Sequence, residues 1–185
     1  MTEERNAELA TINSIQQGLA SKLELQAIID LVGEKIGEIF DAQVVDIITY
    51  DRHTNLCYWS YSVEKGKRYY DPPRLPTGFS GYIIKSQQPL MINKDLEKQS
   101  AQYGSSVISG ESPKSYLGLP LIVGNEAKAV ISLQYIDREN AFADSDLRLL
   151  TTLANSMSVA LENARLFDET QRLLKETEQH AQELA

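Results

Sequence analysis

The chain has 185 residues, 42% hydrophobic and 24% charged, enough for one domain with a full core and helical extensions on either side. Its formal net charge of −8 argues against a nucleic-acid surface, which needs a basic patch, and against an electrostatic hold on anionic membranes. No apolar run is long enough to span a bilayer, and one cysteine cannot form an internal disulfide, so the expected setting is cytoplasmic.

In chain order, Leu9, Ile12, Ile15 and Leu19 fall at spacings of three and four, a narrow apolar stripe on a first helix within residues 1–22. From Leu23 the stripe widens through Ile28, Ile29, Val32, Ile36 and Phe40, as on a helix docked against a core. Val44 to Tyr50 is a β-branched strand, and Leu56 to Val63 follows across the turn residues Asp51 to Asn55. Simple alternation places Cys57, Trp59, Tyr61 and Val63 on one face of that second strand. Tyr69-Tyr70 reads as a third short strand. Pro72, Pro73 and Pro76 keep the next stretch out of any regular ladder.

Thr77 to Ser86 carries Phe79, Tyr82, Ile83 and Ile84 at helical spacings, and Pro89 to Asn93 reads as a brief strand. Residues 94–114 are polar and rich in Ser and Gly, with a short helix near Asp95 to Tyr103. A connection of that length within a domain is usually functional or mobile. Ser115 to Val123 and Ala129 to Ile136 form an antiparallel pair, and Asp144, Ser145 and Asp146 are candidate caps for the helix that follows. On that helix Leu150, Leu153, Met157, Ala160, Ala164, Phe167 and Leu174 form a heptad seam. Paired with Leu9, Ile12 and Leu19, it predicts a homodimer built as a two-fold helical bundle. The pattern reaches Ala185 with no Gly or Pro stop, as expected of a segment joined to a further, output domain.

Candidate chemistry is sparse. His53 lies in a polar turn, His180 on the tail, and Cys57 mid-strand among aromatics, where a thiol acts as a small hydrophobe. No Cys/His cluster or phosphate loop is present, so neither catalysis nor a metal is expected. A ligand cleft is the better candidate. Trp59 and Tyr61 form one wall, Phe79, Ser80, Gly81 and Tyr82 a second, and Arg74 supplies a positive charge. The alternative is that Phe79 and Tyr82 plug the core and the glycines only shape a turn.

The ordered motifs Gly78-x-Ser80-Gly81-x-Ile83, Gln88-Pro89-Leu90, Ser115 with Pro120-Leu121, Phe142 with Asp146, and Asn163-Ala164-x-Leu166 resemble those of the GAF domain family over about Leu23 to Phe167. The resemblance implies an α+β fold: a central antiparallel sheet, helices on one face, a ligand cleft on the other, and long N- and C-terminal helices. It adds Ser115 to the candidate ligand-binding residues. It divides the chain into residues 1–22, a dimerisation helix; 23–167, the GAF-like domain; and 168–185, a coiled-coil-like extension. The role implied is a sensory or regulatory module, with a small-molecule (cyclic-nucleotide-like) receptor or a purely structural dimerisation module as alternatives. The family's cyclic-nucleotide binders carry Asn-Lys, Phe, then Asp-Glu, whereas this chain has Asp137-Arg138, Phe142, then Asp146-Leu147. Bilin-attaching members need a suitably placed Cys, and methionine-sulfoxide reductases need several, so no cofactor is named.

Overall fold

The computed structural model describes residues 5, 6, 9, 25–107 and 110–184. Helix α1 (Leu25–Phe40) is followed by strands β1 (Val44–Asp51), β2 (Leu56–Glu64) and β3 (Lys67–Arg68), then α2 (Gly78–Ser86) and β4 (Leu90–Ile92). Next come α3 (Leu96–Gln102), β5 (Ser115–Val123), β6 (Glu126–Tyr135) and the 40-residue α4 (Asp144–Glu183). The third strand falls at Lys67–Arg68, one step before the aromatic pair Tyr69-Tyr70. Ile12 and Leu19 lie outside the described residues, and Leu9 is exposed.

The strands form one six-stranded antiparallel sheet in the order β3-β2-β1-β6-β5-β4. Because successive side chains point to opposite faces, β1 and β6 each serve two layers. On one face Val45, Ile47, Ile131 and Leu133 pack with Ile28, Val32 and Ile36 of α1 and with Leu150, Leu153 and Met157 of α4. On the other, Ile48 and Val130 pack with Phe79 and Ile83 of α2, Leu90, Ile92 and Leu96.

A bulge in β2 changes which of its residues share a face. Ile47 pairs with Tyr61 and Ile48 with Trp59, so Ser60 is the extra residue. Tyr61 and Val63 therefore turn to the helical face, while Cys57 and Trp59 stay opposite; simple alternation fails here for that reason. The bulge is held by its own hydrogen bonds. The Ser60 carbonyl accepts from Gln26 Nε2 (2.9 Å) and Arg68 Nη2 (3.1 Å), and its hydroxyl lies 2.7 Å from Thr49 Oγ1.

Tyr61 is then clamped. The Arg68 guanidinium lies 4.4 Å from the centre of its ring and also donates to Asp30 Oδ1 at 3.0 Å. On the other side α1 crosses at Gly33, where a Cβ would stand 2.5 Å from ring atoms of Tyr61. Gly33→Ala is expected to destabilise the fold by about 1–3 kcal/mol through overpacking, measured by urea denaturation. Wild-type stability in that variant would contradict the clamp.

Candidate functional site

The opposite face of the sheet is not fully packed. Between it and the segments 69–80, 104–107 and 111–113 lies a cavity of about 210 Å³. Its apolar wall comes from Ile48, Cys57, Trp59, Phe79 and Tyr116, and Arg74 and Leu75 stand at an exposed rim. Arg74 is fixed there through its backbone, which exchanges hydrogen bonds with Cys57 at 2.7 and 3.1 Å. Phe79 stacks against Tyr116 with ring centres 4.7 Å apart and meets Tyr103 edge-on at 5.6 Å.

The floor is polar. Asp46, in the middle of central strand β1, is buried and turned toward the cavity. Ser62 Oγ donates to its Oδ1 at 2.6 Å, and Gln134 Nε2 donates to its Oδ2 at 3.1 Å. Ser132, directly opposite Asp46 on β6, also favours its charged form. Burial raises the Asp46 pKa from 3.8 to about 6, with the nearby Asp71 charge adding to the effect and the hydroxyl donors opposing it. Burial likewise holds the Tyr116 phenol protonated, and it pushes the Cys57 thiol up to about 11. Among the described residues, no group of three or more His, Cys, Asp or Glu is placed to hold a metal ion.

The cavity brings together four of the residues singled out in the sequence: Trp59, Arg74, Phe79 and Ser80. Four others lie elsewhere. Tyr61 belongs to the helical face because of the Ser60 bulge. Gly81 serves a close approach, since a Cβ there would stand 2.5 Å from the Pro76 carbonyl oxygen. Tyr82 is on the outer side of α2, edge-on to Tyr103 at 4.9 Å. Ser115 is a structural tie: its hydroxyl donates to the Arg138 carbonyl (2.9 Å) and accepts from the Ala141 N–H (3.3 Å).

Sequence patterning does not single out Asp46 and its donors. The signal was a carboxylate within Val44-Val45-Asp46-Ile47-Ile48, where an unpaired charge is costly.

The heptad positions of α4 divide in two. Leu150, Leu153 and Met157 are core side chains of this single chain, with no surface left for a second copy, and Ala160 and Ala164 line the same inward face. Phe167 and Leu174 are exposed, as are Val159, Leu166 and Leu173. Asp146 caps the helix from its first turn by accepting the Ala143 N–H at 2.7 Å. Asn93 fixes the preceding residue by exchanging two side-chain hydrogen bonds with the Phe142 backbone, at 2.8 and 3.1 Å.

These features define an α+β module with helices on one sheet face and a walled cavity on the other. The GAF domain pattern matches residues 22–162, and the chain belongs to that family. It is 22% identical over 166 residues to the formate hydrogenlyase transcriptional activator FhlA of Escherichia coli, a match covering 86% of this chain and 24% of the activator. The chain thus spans about a quarter of that relative's length.

Two solved structures share the fold. The GAF domain of an Acinetobacter phosphoenolpyruvate-protein phosphotransferase superposes with a TM-score of 0.69 at 17% identity, covering 87% of this chain and 96% of that one. Residues 122 to 287 of a methyl-accepting chemotaxis protein superpose with a TM-score of 0.71 at 16% identity, covering 83% and 98%. The activator is a transcriptional regulator much longer than this chain, and the two solved structures show the fold. Among the described residues, no helix is long and apolar enough to cross a membrane.

Two measurements test the site. The folded chain holds a proton on Asp46 that the unfolded chain releases from about pH 4, so stability falls as pH rises to about 6 and the full cost persists above. Asp46→Asn, whose neighbours can reorient to pair with an amide, is expected to be more stable than wild type by up to about 3 kcal/mol at pH 8. That gap closes below about pH 4, as urea denaturation at both pH values would show. Cys57 is expected to resist iodoacetamide at neutral pH in the folded chain and react readily in urea; equal rates would contradict its burial.

Proposed function

We propose that the chain is a non-catalytic sensory module of a longer signalling protein, one that holds a small molecule in its cavity and relays occupancy to an output domain. The supporting observation is the shared strands. β1 and β6 present Asp46, Ser132 and Gln134 to the cavity and, one residue away, Val45, Ile47, Ile131 and Leu133 to the layer that seats α1 and α4. A ligand that draws the polar floor toward itself must shift those neighbours, and close packing passes the shift to α4. Residues 23–167 then form the sensing domain, 1–22 a dimerisation helix and 168–185 the continuing extension.

Dimerisation is assigned to the exposed part of the α4 stripe, Leu166, Phe167, Leu173 and Leu174, where a lone helix gains little in water. Relay needs only two helix packings of similar free energy, which the ligand biases. A purely structural dimer would leave unexplained why a carboxylate is kept at the floor of a cavity. Cyclic nucleotide is disfavoured as the ligand, because Asp146 is engaged in helix capping and Asp137-Arg138 lies exposed.

Sedimentation velocity tests the dimer. A dimer is expected at micromolar concentration. The double variant Phe167→Glu, Leu174→Glu is expected to be monomeric with a nearly unchanged melting temperature, because both side chains are exposed in the single chain. A wild-type monomer at high micromolar concentration would overturn dimerisation.

A further inference from the structure

We propose that the cavity selects a small organic cation, a primary amine whose ammonium sits on Asp46 and whose far end, neutral or anionic, reaches the rim at Arg74. This rests on the receptor reading above and names the ligand class.

The cavity's charges decide between ligand types. Asp46 forms the floor, Glu64 and Asp71 line the same space, and Glu111 lies at its edge, paired with Lys65 at 2.7 Å. Against these four carboxylates the only cationic side chain lining the cavity, among the described residues, is Arg74, and it is exposed. The groups reaching Asp46 are neutral donors: the hydroxyls of Ser62 and Ser132 and the amide of Gln134. Tyr116 and Cys57, which also line the cavity with Tyr69, are held as a neutral phenol and a neutral thiol by burial. An anion entering this space meets a buried carboxylate at its floor. An ammonium there forms charge-assisted hydrogen bonds and neutralises that carboxylate.

Size and shape narrow the class. At about 210 Å³ the cavity is smaller than the roughly 300–1,000 Å³ of drug-sized pockets, so it suits a compact metabolite. Trp59, Ile48 and Phe79 supply an apolar wall for its carbon body. That wall favours a cation with a carbon body over a bare metal ion.

Trp59 is the chain's single tryptophan and lines the cavity, so its fluorescence reports occupancy directly. The test titrates the full chain with n-butylamine, n-butanol and butyrate, up to tens of millimolar, at about pH 7.5 and about pH 5. Butylamine stays protonated at both pH values, whereas Asp46 becomes largely protonated at the lower one.

Butylamine is expected to bind at least about tenfold more tightly than butanol at the higher pH, and to weaken by about tenfold at the lower. Asp46→Asn is expected to abolish both the amine preference and its pH dependence; a persistent dependence would place the cation on Glu64, Asp71 or Glu111 and overturn the assignment. Butyrate binding as tightly as butylamine would overturn the cation class while leaving a receptor. Silence from all three probes would remove the receptor reading as well. Should Asp46→Asn fail to fold, the wild-type comparison of probes and pH decides alone.

Discussion

Successive side chains on an extended strand must point to opposite faces, and the two central strands of this sheet use that constraint to divide the molecule. In β1, Val45 and Ile47 go to the helices while Asp46 and Ile48 go to the cavity side. In β6, Ile131 and Leu133 face the helices while Ser132 and Gln134 face the cavity. The helical core and the cavity floor are therefore the same short pieces of backbone seen from two sides. In the proposed reading, a shift of that backbone on one face reaches the other. The Ser60 bulge refines the division by sending Tyr61 into the helical core and leaving Trp59 on the cavity wall.

The two faces are built to different standards. The helical side is closed and apolar, with Ile28, Ile36, Leu150 and Met157 shielded from solvent. The cavity side retains a carboxylate that burial makes unfavourable when ionised, partly offset by hydroxyl and amide donors. Proteins that keep such a group commonly do so where a ligand will meet it, giving up stability in the empty state for recognition in the filled one. In the proposed reading, that asymmetry makes the cavity the input and the helical layer the output.

Much of the fold was legible because its signals are local. Alternation and turn residues gave the main strands, and the three-four spacing gave α1, α2 and α4. The Ser60 bulge was not legible, since nothing in Ser60-Tyr61-Ser62 distinguishes a bulged from a regular strand; it depends on Gln26 and Arg68, distant in sequence. The heptad spacing of α4 is the same whether a residue packs on its own sheet, as Leu153 does, or stays exposed, as Leu174 does. Length of the supporting sheet, not the helix sequence, sets where one ends and the other begins. The cavity itself arises from distant segments, with residues 71–74, 105–107 and 111–113 meeting over β1 and β2, so the sequence marks Trp59, Arg74, Phe79 and Ser80 but not the polar floor.

The most direct measurement is a carbon-13 NMR titration of the Asp46 side-chain carboxyl, in the empty protein and with saturating n-butylamine. A pKa near 6 when empty, moved toward the ordinary carboxylate range by the amine, is the expected result. An ordinary value in the empty protein, or one unmoved by the amine, would contradict a carboxylate held ready for a cationic ligand.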